Sequence, residues 1–137
     1  MGFSERWTAI VCALLSSAST RVNVNGVAGE LIFNRRGLRQ GDPLSPLLFD
    51  AVMDVLHLMI ERASTEGMLS ELAEGRFRHR TSMYADDVVT FVRPVEGDLR
   101  TCAAIVEDFG VASGLRTNLA KCSIHPIRCA PDRKSVV

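Results

Sequence analysis

Tyr84-Ala85-Asp86-Asp87 sets two adjacent carboxylates between short β-prone runs, Thr81-Ser82-Met83 before them and Val88-Val89-Thr90-Phe91-Val92 after. The pattern predicts two strands joined by a tight turn, a place where Asp is tolerated. Burying two neighbouring carboxylates is costly unless a positive partner pairs with them. A divalent cation such as Mg²⁺ would do so, taking carboxylate oxygens and keeping positions open for substrate phosphates. The tetrapeptide alone also fits an ordinary hairpin turn that happens to contain Asp-Asp, and both readings stand at this point.

Other groups with chemical potential give weaker signals. Cys12, Cys102, Cys122 and Cys129 lack C-x-x-C spacing, and Cys122, His125 and Cys129 fit no zinc pattern, so they read as reduced cysteines of an intracellular protein. The 137 residues are 47% hydrophobic and 23% charged, a globular composition that fits one domain. Sixteen basic residues balance sixteen acidic ones, so net charge carries no nucleic-acid signal. The distribution is less even. Arg21, Arg35, Arg36 and Arg39 form one basic region and Arg76, Arg78 and Arg80 another, either of which could contact phosphate. Between them, Asp42, Asp50, Asp54, Glu61, Glu66, Glu71 and Glu74 face Arg62 alone, most simply a solvated helix face. No apolar run is long enough to span a membrane. Arg6, the apolar run Trp7 to Leu15, and Ser16-Ser17-Ala18-Ser19 loosely imitate a secretory signal peptide, but the apolar core is short and Glu5 lies among the leading residues.

The elements that position these groups follow from periodicity. Residues 4–17 predict a short buried helix, capped by Ser4, with Trp7, Ile10, Val11, Leu14 and Leu15 on one face. Thr20 to Val24 and Glu30 to Phe33 predict a hairpin around Asn25-Gly26. The loop Arg36 to Gly41 follows, its two glycines allowing close approach of backbone to a ligand. A long helix then runs to Ser64, with either Asp42 capping Pro43 or Ser45 capping Pro46. Its expected buried stripe is Leu44, Leu48, Val52, Val55, Met59 and Ala63; Asp50, Asp54, His57 and Glu61 make the polar face. Gly67 ends it, and residues 68–77 read as irregular. After the Tyr84 hairpin, a helix over 98–112 turns Leu99, Cys102, Ala103, Val106 and Phe109 inward and closes at Gly114. Cys122 to Ile127 reads as one more short strand, and 128–137 as a disordered tail.

The run Arg36-Gly37-Leu38-Arg39-Gln40-Gly41-Asp42-Pro43-Leu44-Ser45-Pro46-Leu47-Leu48-Phe49 resembles the R-G-x-R-Q-G-D-P-L-S-P-x-L-F block of reverse transcriptases from non-LTR (LINE-type) retrotransposons of the kind abundant in plants. Tyr84-Ala85-Asp86-Asp87 falls where that family keeps Y-A-D-D. Gly114-Leu115, Asn118, Lys121 and Cys122 resemble its following block, and Val24-Asn25-Gly26 its preceding hairpin turn. The likeness covers residues 2–127. It implies an α+β fold, a partial polymerase palm in which a small antiparallel sheet carries helices packed on one face. It also implies RNA-directed DNA polymerase chemistry with two metal ions, Mg²⁺ or Mn²⁺, acting on an RNA template, a DNA primer and deoxynucleotides.

Carried over residue by residue, the resemblance makes Asp86 the principal metal ligand with Asp87 beside it, and puts Tyr84 under the primer end. Gln40, Gly41 and Pro43, with Arg39, would lie against the incoming nucleotide and template, and Lys121 would neutralise the pyrophosphate leaving group. One departure stands out: the family has an earlier strand ending in a further metal-binding Asp, whereas Asp42 is the first Asp of this chain. The expectation is therefore the latter part of a palm, inactive alone and binding metal weakly. The alternative is a non-catalytic remnant that binds RNA or a protein.

Overall fold

The computed structural model describes residues 2–72 and 79–127. The chain divides into two compact units, Met1–Phe49 and Asp50–Val137.

The first unit opens with α1 (Glu5–Ser16), started by Ser4, whose hydroxyl accepts the Trp7 N–H at 3.3 Å. The expected stripe forms but is not buried: Ile10 and Leu14 are 51% and 53% exposed, and Val11 is half-buried. The reason lies in what the unit offers as cover. Its strands are two residues each, β1 (Ser19–Thr20), β2 (Asn23–Val24), β3 (Val27–Ala28) and β4 (Ile32–Phe33), too short to present an apolar face. The hairpin around Asn25-Gly26 exists, with Val24 opposite Val27 and both turn residues at positive φ, 51° and 84°. Its ladder is interrupted: β1 pairs with β4 and β2 with β3, and three residues, 29–31, oppose two, 21–22, so the register slips by one as in a bulge.

Helix α2 (Leu44–Thr65) starts in the first unit and continues in the second. Asp42 resolves the two possible starts, because its Oδ1 accepts the Leu44 N–H at 2.8 Å and the helix already includes Ser45 and Pro46. Gly67, at φ +74°, ends the helix, with Met68 N–H donating back to the Ala63 carbonyl at 2.9 Å.

In the second unit the buried side of α2 is Met53, Leu56, Ile60 and Ala63. Of the expected stripe Ala63 is buried and Met59 half-buried, while Val52 and Val55 lie near the surface. The sequence around them is apolar on most sides, so periodicity did not single out one face; the face chosen is the one beside His57, Glu61 and Ser64, which have polar partners to meet. β5 (Thr81–Tyr84) and β6 (Asp87–Thr90) form an antiparallel hairpin in the register Thr81–Thr90, Ser82–Val89, Met83–Val88 and Tyr84–Asp87. Thr81, Met83 and Thr90 are half-buried; Ser82, Tyr84, Asp87 and Val89 share the open side. Helix α3 (Glu96–Ser113) follows, closed by Gly114 at φ +79°. Its buried residues are Asp98, Ile105, Phe109 and Gly110; Ala103, expected inward, is exposed.

The class is α+β, with small antiparallel pairings, as expected; among the described residues the pairings are three separate two-stranded ribbons. Cys122 to Ile127 is not a strand: no described strand pairs with it, and Pro126 has no N–H to give to a ladder. The expected tail 128–137 and the segment 73–78 lie outside the described residues.

Candidate active site

Ala85 and Asp86 are the two residues between paired strands, so Tyr84-Ala85-Asp86-Asp87 is a tight hairpin turn. Ala85 stands at φ +51°, a conformation that glycine takes freely and alanine pays for with about 1–2 kcal/mol. Strain of this kind persists only where the surroundings over-determine it, and it clusters at functional sites. The turn exposes everything it carries: Tyr84 is 84% exposed, and Asp86 and Asp87 are exposed, with no hydrogen bond or ion pair to either carboxylate among the described residues. Tyr84 and Asp87 are cross-strand partners, so ring and carboxylate project from the same side of the ribbon. Two adjacent carboxylates without a protein cation suit a hard divalent ion, although two ligands leave such an ion most of its waters.

The base of this hairpin is pinned. Arg80, one residue before β5, is 5% exposed, and its Nε donates to Ser64 Oγ at 2.8 Å while Nη2 donates to the Ser70 carbonyl. Nη1 is buried with no hydrogen-bond partner among the described residues. Asp98, 3% exposed at the start of α3, accepts the Ser70 N–H through both oxygens at 3.1 Å and the Ser70 hydroxyl at 2.9 Å. Ser70 thus bridges a buried guanidinium and a buried carboxylate, fixing the chain after α2 to the starts of β5 and α3. Burial, and then the Asp98 carboxylate, push the Cys102 thiol above its ordinary value, with Arg80 opposing. Arg80 is therefore a structural residue rather than part of a basic region that could contact phosphate; Arg76 and Arg78 lie outside the described residues. Glu61, expected to be solvated, is half-buried and accepts the Arg80 N–H at 2.9 Å. Sequence reasoning missed this network because Arg80, Ser70 and Asp98 are too far apart in the chain for any periodicity to join them.

Lys121 is exposed at the end of a short 3₁₀ turn, Leu119–Lys121, that Asn118 caps by accepting the Ala120 N–H at 3.1 Å.

The remaining expected site residues belong to the first unit. Arg39 to Asp42 is a β-turn closed by Asp42 N–H donating to the Arg39 carbonyl at 3.3 Å, with Gly41 at φ +86° in its third position. That is the type II pattern, which glycine satisfies without strain and which sets Gln40 at the corner. Arg39, Gln40, Gly41, Asp42 and Pro43 line one open depression. Arg21, Arg35, Arg36 and Arg39 are all exposed. Cys12 and Cys122 are exposed free thiols and Cys102 is a half-buried one.

Residues 2–129 match the family described as reverse transcriptase (RNA-dependent DNA polymerase). The chain is 33% identical over 120 residues to the retrovirus-related Pol polyprotein from the type-2 retrotransposable element R2DM of Drosophila melanogaster, covering 86% of this chain and 10% of that protein. It is 32% identical over 122 residues to the retrovirus-related Pol polyprotein from a type-1 retrotransposable element R2 of Popillia japonica, 88% of this chain and 16% of that protein. It is also 39% identical over 66 residues to an uncharacterized mitochondrial protein of Arabidopsis thaliana, 47% of this chain and 54% of that one. The chain thus spans only a small part of the two polyproteins. No solved structure matches significantly.

Proposed function

The chain belongs to the reverse transcriptase (RNA-dependent DNA polymerase) family, among relatives from non-LTR (LINE-type) retrotransposons, and from that premise we propose that it carries the metal-holding part of an RNA-directed DNA polymerase palm. The observation that supports this best is the Tyr84–Asp87 turn: two exposed carboxylates, unpaired among the described residues, at the tip of a strained hairpin whose base is locked. Asp86 is the principal ligand of Mg²⁺ or Mn²⁺ and Asp87 lies beside it. Two such ions, when bound, stabilise the attacking and leaving oxygens of an in-line phosphoryl transfer.

The chain's own residues orient the reactants. Tyr84 offers its exposed ring to the primer end, a contact that stacking makes tolerant of sequence. Gln40, Gly41 and Pro43 meet the incoming deoxynucleotide and the template base, and Arg39 a phosphate; the glycine at the type II position lets backbone come close. Lys121 neutralises the pyrophosphate as it leaves. The partners are an RNA template, a DNA primer and deoxynucleotides, and the compartment is intracellular.

These 137 residues alone polymerise nothing. Their first Asp is Asp42, which lies in no strand among the described residues, and two adjacent carboxylates hold an octahedral ion weakly. Alignment of primer and template, which supplies much of the catalysis in phosphoryl transfer, needs more protein than this. Primer extension on an RNA template with Mg²⁺ or Mn²⁺ tests the reading. The expected result is no extension by the chain, and extension once it is joined to a relative's preceding strand and Asp, lost again in Asp86→Ala. Extension by the 137 residues alone, or extension in the joined protein that survives Asp86→Ala, would contradict it.

A further inference from the structure

We propose that His57, Glu61 and His79 form a site for a transition-metal dication of the zinc class, separate from the Asp86-Asp87 turn and independent of the polymerase reading. His57 and Glu61 are four residues apart on α2 and therefore on one face. His79 enters from the other direction, two residues before β5. One donor atom from each of the three lies within 4.8 Å of the others.

The detail favours an ion over simple packing. His79 Nδ1 stands 3.9 Å from Glu61 Oε1, too far for a hydrogen bond, so the pair does not already satisfy itself. The two imidazole rings are 5.4 Å apart and tilted by 57°. Ligands on a tetrahedral zinc, each about 2.0–2.1 Å from the metal, sit roughly 3.3 Å from one another. Small side-chain movements would close the set to that spacing. Two imidazoles and a carboxylate select zinc-like ions rather than Mg²⁺.

The outer contacts that such ligands need are in place. Glu61 Oε1 accepts the Arg80 N–H at 2.9 Å. His57 Nδ1 is hydrogen-bonded to Thr81 Oγ1. In the tautomer that donates Nδ1–H to Thr81, the Nε2 lone pair would be left for a metal, the usual outer-shell arrangement for a ligating histidine. The Glu61 and His79 side chains are 25% and 56% exposed, which leaves an ion a way in and a fourth position for water. An ion here would clip α2 to the strand that leads into the Tyr84–Asp87 turn, and by linkage would stabilise the second unit.

The test is calorimetric titration of the reduced, full 137-residue chain with Zn²⁺, its exposed thiols alkylated, together with imidazole NMR signals. The expected result is one ion per chain, with the His57 and His79 rings shifting together while His125 does not. His79→Ala removes an exposed side chain that makes no close hydrogen bond among the described residues, so the fold survives it, and affinity should fall at least about tenfold, as should Glu61→Gln. Zn²⁺ should raise the melting temperature of the unaltered chain and leave that of His79→Ala unmoved. Affinity unchanged in both variants, or a shift confined to His125, would overturn the proposal. Asp86→Ala should keep the zinc affinity; loss of binding there would place the ion on the turn and overturn it equally.

Discussion

The turn at Asn25-Gly26 and the turn at Ala85-Asp86 each reverse a strand in two residues, from opposite materials. The first uses Asn and Gly, which take positive φ readily, in a unit where no described residue is buried. The second forces Ala85 to φ +51° in the unit that holds the buried apolar residues Met53, Leu56, Ile60, Ala63, Leu69, Ile105 and Phe109. A strained tip needs a base that cannot relax. The Arg80–Ser70–Asp98 network provides one: a buried guanidinium and a buried carboxylate meet on a single serine beneath the hairpin. The first unit has no comparable anchor among its described residues, and its turn chemistry avoids strain.

The largest expected effect lies in that anchor. Asp98→Ala removes the acceptor of both Ser70 donors, the N–H and the hydroxyl, each bonded to a charged group, and should cost about 3–5 kcal/mol in urea unfolding. A loss below roughly 1 kcal/mol would mean that the network does not hold the second unit. Next is a matched pair. Ile60→Ala, at a residue 1% exposed, should cost about 2–5 kcal/mol, and Ile10→Ala, at one 51% exposed, about 0.5 kcal/mol or less. Equal costs would erase the distinction between the units.

A smaller effect tests the strain itself. Ala85→Gly should stabilise by about 1 kcal/mol, offset in part by the greater freedom of glycine in the unfolded chain, whereas Gly26→Ala should destabilise by about the same amount. Destabilisation by Ala85→Gly would show that the turn carries no strain. The smallest effect is kinetic. With its pKa raised by burial and by Asp98, Cys102 holds less thiolate than an ordinary thiol at any pH near 8, so it should alkylate more slowly than exposed Cys12 and Cys122 until the chain unfolds. Equal rates in the folded chain would argue that α3 opens readily.

What the sequence could reveal followed the range of its signals. Caps and turns are local, and Ser4, Asp42, Gly67, Gly114 and Asn25-Gly26 all act as their residue types suggest. The hairpin at Tyr84-Ala85-Asp86-Asp87 was legible from its flanking β-prone runs, and the family from the block beginning at Arg36. Burial was less so. α2 is apolar on too many sides for its period to choose between Val52 and Met53, and the α1 stripe showed where a partner would pack without showing whether one was at hand. The roles of Arg80, Glu61 and Asp98 were hidden altogether, because each depends on a residue in a different element. Charged residues read along the chain look solvated until the fold supplies their partners.

Asp86 and Asp87 are proposed to hold the divalent ion, and the polymerase reading rests on them. The most direct measurement is paramagnetic broadening of backbone amide signals by sub-stoichiometric Mn²⁺. The account predicts that signals of residues 85–88 broaden first, recover when excess Mg²⁺ competes, and no longer broaden selectively in Asp86→Ala. Broadening that spares the turn, or that persists there after Asp86→Ala, would contradict it.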